Sequence, residues 1–275
     1  MNLTVNQPEL SSSNPEIVFF DDFSSEQLDR SKWNVEITGK TVNDEQQAYI
    51  DSPDTIHINP NFPDTSHGAL VIHPRYRRGF LTPQGKSFDF VSGRINTRNK
   101  FEFSVGCVSA RILLSAGTGL WPAFWALGTS GNWPNCGEID IMENVGEPDW
   151  ASVAIHGPGY SGETPLVNKK FFLPNNFTTN WHIYSLECNA DDSLQFKIDG
   201  ELVYRVTRPM VEFYGDWVFG TPKFLILNVA LGGTYPFKTN GVRVPYYGIP
   251  LETVKFIQSN NAKMVVDWVK VTKVR

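Results

Sequence analysis

From Ile17 onward, short apolar segments alternate with clusters of turn residues. Leu194, Phe196 and Ile198 alternate with polar neighbours, the period-two pattern of a half-buried strand. Asp199-Gly200 sits between LQFKI and ELVYRV, which predicts a two-residue hairpin. NWHIYSLE (180–187), VSARILL (108–114) and MVVDWVKV (264–271) read as further strands, and FLILNVAL (224–231) is apolar on both faces, as in a strand covered on both sides. Helical periodicity is scarce; LDRSKW (28–33) offers one turn. Residues 1–16 are a polar, poorly ordered lead-in. Beyond them no repeat or linker composition divides the chain, which predicts one all-β domain over 17–275, a sandwich of antiparallel sheets.

Composition narrows the partners. The 275 residues bury a large core without disulfide staples. A formal charge of −5, with no basic block longer than Arg75-Tyr-Arg-Arg78, argues against nucleic acid or an anionic membrane. Cys107, Cys136 and Cys188 are odd in number and share no CxxC spacing, so packed thiols are expected rather than metal ligands or disulfides. No apolar run approaches the roughly 18 residues of a membrane span. The N-terminus lacks the basic-then-apolar pattern of a signal peptide, which fits an intracellular protein or the mature form of a secreted one.

The stretch 137-GEIDIMEN-144 carries the candidate chemistry. In a regular strand Glu138 and Asp140 share a face and Glu143 points away, so one carboxylate would enter the core unpaired. A β-bulge at Ile141-Met142 returns Glu143 to the face of the other two and leaves Ile139 and one of Ile141 or Met142 packed inward. Three carboxyls then line an exposed sheet face at about 6–7 Å per two residues. Like charges this close raise at least one pKa, and separated pKa values suit acid/base work on a glycosidic bond. A bare ExDxxE more often marks a solvated acidic edge.

The neighbours favour the chemical reading. Trp121 and Trp125 in GLWPAFW (119–125) fall on one strand face, and Trp133 precedes the carboxylates. A single Trp more often packs a core, but three beside an acidic strand suit the apolar faces of sugar rings. His156 opens HGPGYSG (156–162), either as a turn residue or as a partner for a sugar hydroxyl.

SGRINT (92–97), GLWPAFW, GEIDIMENVG (137–146), HGPGYSG, FLILNVALGG (224–233) and VDWVKV (266–271) occur in the order seen in glycoside hydrolase family 16. The chain resembles its laminarinase-like endo-β-1,3-glucanases over residues 17–275. The resemblance implies a β-jelly-roll sandwich of two bent antiparallel sheets with an open concave substrate cleft. It implies retaining, endo-acting hydrolysis of β-1,3-glucan, and of mixed-linkage β-1,3/1,4-glucan as a second substrate. Glu138 would be the nucleophile, Glu143 the general acid/base, and Asp140 the assistant of Glu138. Asn43, Arg94, Trp121 and Trp125 would line the glycone side, with His156 beside the cleavage point and Trp133 bordering the leaving-group side. Catalysis would need no cofactor, but a structural Ca2+ would be held by Asp22, the Gly68 carbonyl and Asp267. The alternatives are an agarase-like enzyme of the same fold and a non-catalytic glucan-binding module. Cys188 stands where relatives carry Trp, a packing change. A polymer substrate must be cut outside the membrane, so secretion is expected, with the enzyme working as a monomer.

Overall fold

The computed structural model describes residues 15–162, 168–173 and 177–273; most of the expected lead-in, residues 1–14, lies outside them. The first strands are β1 (Ile17–Asp21), β2 (Asn34–Val35), β3 (Gln47–Tyr49), β4 (Ile56–Asn59) and β5 (Ala69–Ile72). They are followed by β6 (Arg75–Leu81), β7 (Ser87–Ser92), β8 (Arg94–Asn96), β9 (Gly106–Leu114) and β10 (Leu120–Gly128). Next come β11 (Glu138–Glu143), β12 (Trp150–His156), β13 (Asn168–Phe172), β14 (His182–Asn189) and β15 (Ser193–Ile198). The last are β16 (Glu201–Thr207), β17 (Lys223–Leu231) and β18 (Met264–Thr272), with helices α1 (Arg208–Glu212), α2 (Thr234–Asn240) and α3 (Leu251–Gln258) between them.

One sheet runs β16-β15-β14-β9-β18-β5-β4, with β1 also paired to β18. The second runs β13-β12-β11-β10-β17-β8-β2. Both are antiparallel throughout, the jelly-roll arrangement expected of the sequence. A third, small sheet, β3-β7-β6, was not expected, and its β3–β7 pair is parallel.

The core explains the alternation. Val108, Ala110, Ile112 and Leu114 of β9, Leu194, Phe196 and Ile198 of β15, and Val266, Val269 and Val271 of β18 enter one cluster. They meet Phe124, Ile139, Ile155, Leu225 and Leu227 from the second sheet. Full burial of such side chains stabilises the fold by about 1.5–3 kcal/mol each. β17 is buried at every position, as its two-sided apolarity predicts. The predicted hairpin closes with Ile198 opposite Glu201, and Asp199 and Gly200 both have positive φ, the signature of a type I′ turn. Residues 28–33 form only a hydrogen-bonded turn, in which Trp33 N–H donates to the Asp29 carbonyl. All three thiols are free; Cys136 and Cys188 are buried, and Cys188 packs in the main core.

Candidate active site

β11 carries the expected bulge. Against β12, Asp140 is opposite Ala154 and Glu143 opposite Ser152, so Ile141 and Met142 together oppose Val153 alone. Against β10, Trp125 faces Asp140 and Phe124 faces Met142, so Ile141 has no counterpart. Glu143 is thereby returned to the face of Glu138 and Asp140. The bulge buries Ile141 and Met142 together, at 2% and 0% exposure, where the sequence led us to expect one of them inward. Two adjacent side chains share the space of one because the bulge coils the strand locally. Gly137 sets the entry: its φ is +77°, and a Cβ there would approach Val218 to 2.9 Å.

The carboxyl face is covered, not exposed as the sequence suggested. Asp140 and Glu143 are 3% and 8% exposed, and Glu138 is half-buried. Trp133 Nε1 donates to Glu138 Oε2 at 3.0 Å, and Trp121 Nε1 donates to Glu143 Oε1 at 2.8 Å. His156 Nε2 lies 3.4 Å from Asp140 Oδ2 and 3.7 Å from Glu138 Oε1. The Gly162 N–H donates to His156 Nδ1, which leaves the imidazole proton on Nε2, facing the two carboxyls.

Burial pushes all three carboxyls up to about 8, ahead of the like-charge repulsion expected from spacing alone. Glu138 and Glu143 have matching surroundings: each is raised further by neighbouring carboxyls and lowered by one indole donor and by His156. Asp140 is raised by burial alone. Three carboxyls this close resist ionising together, so the group can present one carboxylate and one carboxylic acid to the same substrate.

Across the sheet, pairing puts Arg94, Asn228, Ala123, Glu143 and Ser152 in one row. Trp121 and Trp125 stand on this face, half-buried, and Trp133 is 52% exposed. The Arg94 guanidinium lies 4.9 Å from the Trp125 ring centre and its Nε 2.9 Å from Glu36. Asn43 is on the rim; its carbonyl accepts the Thr234 N–H at 2.7 Å and so ties the loop to α2. The structure thus gathers the three carboxyls, Trp121, Trp133 and His156 at one centre, with Arg94 and Trp125 beside it and Asn43 at the edge.

Sequence reasoning missed three residues. Asn228 Oδ1 accepts the Trp125 indole N–H at 2.7 Å while its Nδ2 donates to the Tyr49 hydroxyl at 3.1 Å. A lone amide in FLILNVAL was the available signal. Glu36 pairs with Arg94 from outside any motif. Tyr235 meets the Trp121 ring edge-on at 5.3 Å, with its hydroxyl 3.3 Å from Ser152 Oγ. Its place depends on α2, which no periodicity announced, and on Gly233, whose Cβ would strike the Asn43 carbonyl at 2.4 Å.

Two of the three expected calcium donors, Asp267 and Asp22, are engaged by other partners. Asp267, the extra residue in the β18 bulge opposite β9, has its carboxylate 2.6 Å from Arg111 Nη1. Asp22 accepts the Ser24 N–H, with His67 Nε2 at 3.9 Å. A cation would have to share Asp267 with a guanidinium that repels it. Among the described residues, the three-residue group with metal-ligand atoms mutually within 4.8 Å is Glu138, Asp140 and His156, the carboxylate centre itself.

The family described as "Glycosyl hydrolases family 16" matches residues 31–248. "Glucan endo-1,3-beta-glucosidase A1" of Niallia circulans is 29% identical over 98% of the chain, which spans 39% of that protein's length. "Beta-glucanase" of Rhodothermus marinus is 29% identical over 80% of the chain and 77% of its own length. The crystal structure of the endo-beta-1,3-glucanase from Pyrococcus furiosus superposes with a TM-score of 0.79 at 33% identity, covering 94% of each chain.

Proposed function

The chain belongs to glycosyl hydrolases family 16, and from that premise we propose that it is an endo-acting glycosidase cleaving β-1,3-glucan, with mixed-linkage β-1,3/1,4-glucan as a second substrate. Glu138 attacks the anomeric carbon while Glu143 gives its proton to the departing glycosidic oxygen. The C–O bond to the leaving sugar breaks as an ester to Glu138 forms. Water then attacks that ester, passing its proton to Glu143, and configuration is retained. Asp140, held protonated, is a hydrogen-bond donor beside Glu138, and the coupled group carries fewer charges than carboxyls. No cofactor enters.

The observation that supports this reading is the Ile141 bulge, which gives Glu143 the same covered face as Glu138. The indoles at 121, 125 and 133 supply flat walls for sugar rings. Residues 17–275 act as one catalytic domain, working as a monomer. A glucan polymer is too large to cross a membrane, which supports action outside the cell.

Incubation with laminarin is expected to release short oligosaccharides, and Glu138→Gln to abolish release. Parallel digestion of mixed-linkage glucan ranks the two substrates. No cleavage of any β-1,3-linked glucan would end the proposal.

A further inference from the structure

The row Arg94–Asn228–Ala123–Glu143–Ser152 does not stop at β12. Lys170 of β13 is opposite Ser152, so it extends the same face two strands beyond Glu143, about 9–10 Å away on the side opposite Arg94. Its ammonium lies 4.2 Å from the Trp150 ring centre and 5.8 Å from that of Tyr235, which fixes the charge over an aromatic floor. Phe172, two residues on and opposite Trp150, shares this face at 73% exposure. Tyr235 joins the patch to the reacting centre, touching Trp121, which in turn holds Glu143. Lys170 is exposed, with its pKa lowered by partial burial and Glu147 opposing the effect.

Resting on the reading of Glu138 and Glu143 as glycosidic catalysts, we propose that Lys170, Tyr235 and Phe172 form a leaving-group subsite for a β-linked glucosyl unit. A glucan lying across the strands from Arg94 passes over the carboxyls and then meets β12 and β13. Lys170 offers N–H donors to the sugar hydroxyls, Phe172 an apolar surface to the ring's C–H face, and Tyr235 the wall between this unit and Glu143. An acceptor sugar that intercepts the glycosyl-enzyme occupies the same place. The subsite thus sets the share of transglycosylation as well as the binding of substrate beyond the scissile bond.

Lys170→Met keeps the aliphatic stem over Trp150 and removes the donor. With laminarihexaose, kcat/KM is expected to fall roughly tenfold, the loss of one good charge-assisted hydrogen bond. The transglycosylation-to-hydrolysis ratio should fall with it. An aryl β-laminaribioside, whose leaving group is not a sugar, should be cleaved at the wild-type rate, and Lys170→Arg should keep most of the hexaose activity. Equal kinetics of Lys170→Met and wild type on both substrates would overturn the subsite. So would a parallel loss on both, which marks a packing role. A wild type that cleaves neither substrate removes the underlying reading, and the subsite with it.

Discussion

Trp121 Nε1 donates to Glu143 Oε1 at 2.8 Å, so the indole that flanks the cleft also steers the ionisation of the carboxyl beneath it. Burial raises Glu143 above its ordinary range, and this bond pulls it back. A raised acid keeps its proton to higher pH, so the alkaline limb of kcat/KM should lie above the usual carboxylate range, below or near 8. Trp121→Phe removes the donor and should move that limb further up. A bond to a charged group is worth about 1.5–3 kcal/mol, or about one to two pH units. A pH–rate profile unchanged by the substitution would show that the indole does not bias Glu143.

Asp140 links the site to stability. Its folded pKa is raised from 3.8 to about 8 by burial, so the folded state binds the proton more tightly than the unfolded chain. The stability this lends is fully present below the unfolded value and is lost as pH rises through the window from about 4 to about 8. Asp140→Asn abolishes the titration and should raise Tm at pH 8, by about 2–4 °C per kcal/mol recovered. The gain should vanish at pH 4, and activity should drop. Thermal melts at the two pH values check it; an equal shift at both would contradict the sign.

Much of this was legible in the primary structure, because alternation over 193–198 and two-sided apolarity over 224–231 are direct records of burial. The acidic stretch was legible for a related reason: a carboxylate at 143 is intolerable in the core, so the register had to shift. The burial of the carboxyl face was not legible, since it comes from Trp121, Trp133 and His156 arriving from three different segments. The same holds for Tyr235 and for the parallel β3–β7 pair, which are set by tertiary contacts rather than local pattern.

Arg111 and Asp267 form an ion pair, 25% and 8% exposed at the side chain, at one of the expected calcium donors. Calcium addition and chelation should therefore leave Tm unchanged. Arg111→Met strands a buried carboxylate and should destabilise the protein by about 3–5 kcal/mol. A chelator-induced fall in the wild-type melting temperature would show that a cation does compete with Arg111.

Deleting Ile141 removes the unpaired residue and leaves ExDxE in a regular strand, where Glu138, Asp140 and Glu143 still share one face. Cleavage of laminarin should therefore persist at a reduced rate, while stability falls by about 2–5 kcal/mol for the lost buried side chain. Circular dichroism melts and laminarin assays measure the pair. A folded deletion variant with no activity at all would mean that Glu143 needs the bulge itself and not only the shared face.

Covalent trapping interrogates Glu138 itself. A 2-deoxy-2-fluoro-β-laminaribiosyl fluoride should inactivate the protein with time and leave one fluorosugar ester, which peptide mass spectrometry should find on Glu138. Label on Glu143 or Asp140, or turnover of laminarin oligosaccharides with inverted anomeric configuration, would show that the carboxyls gathered by the bulge do not perform a double displacement through Glu138.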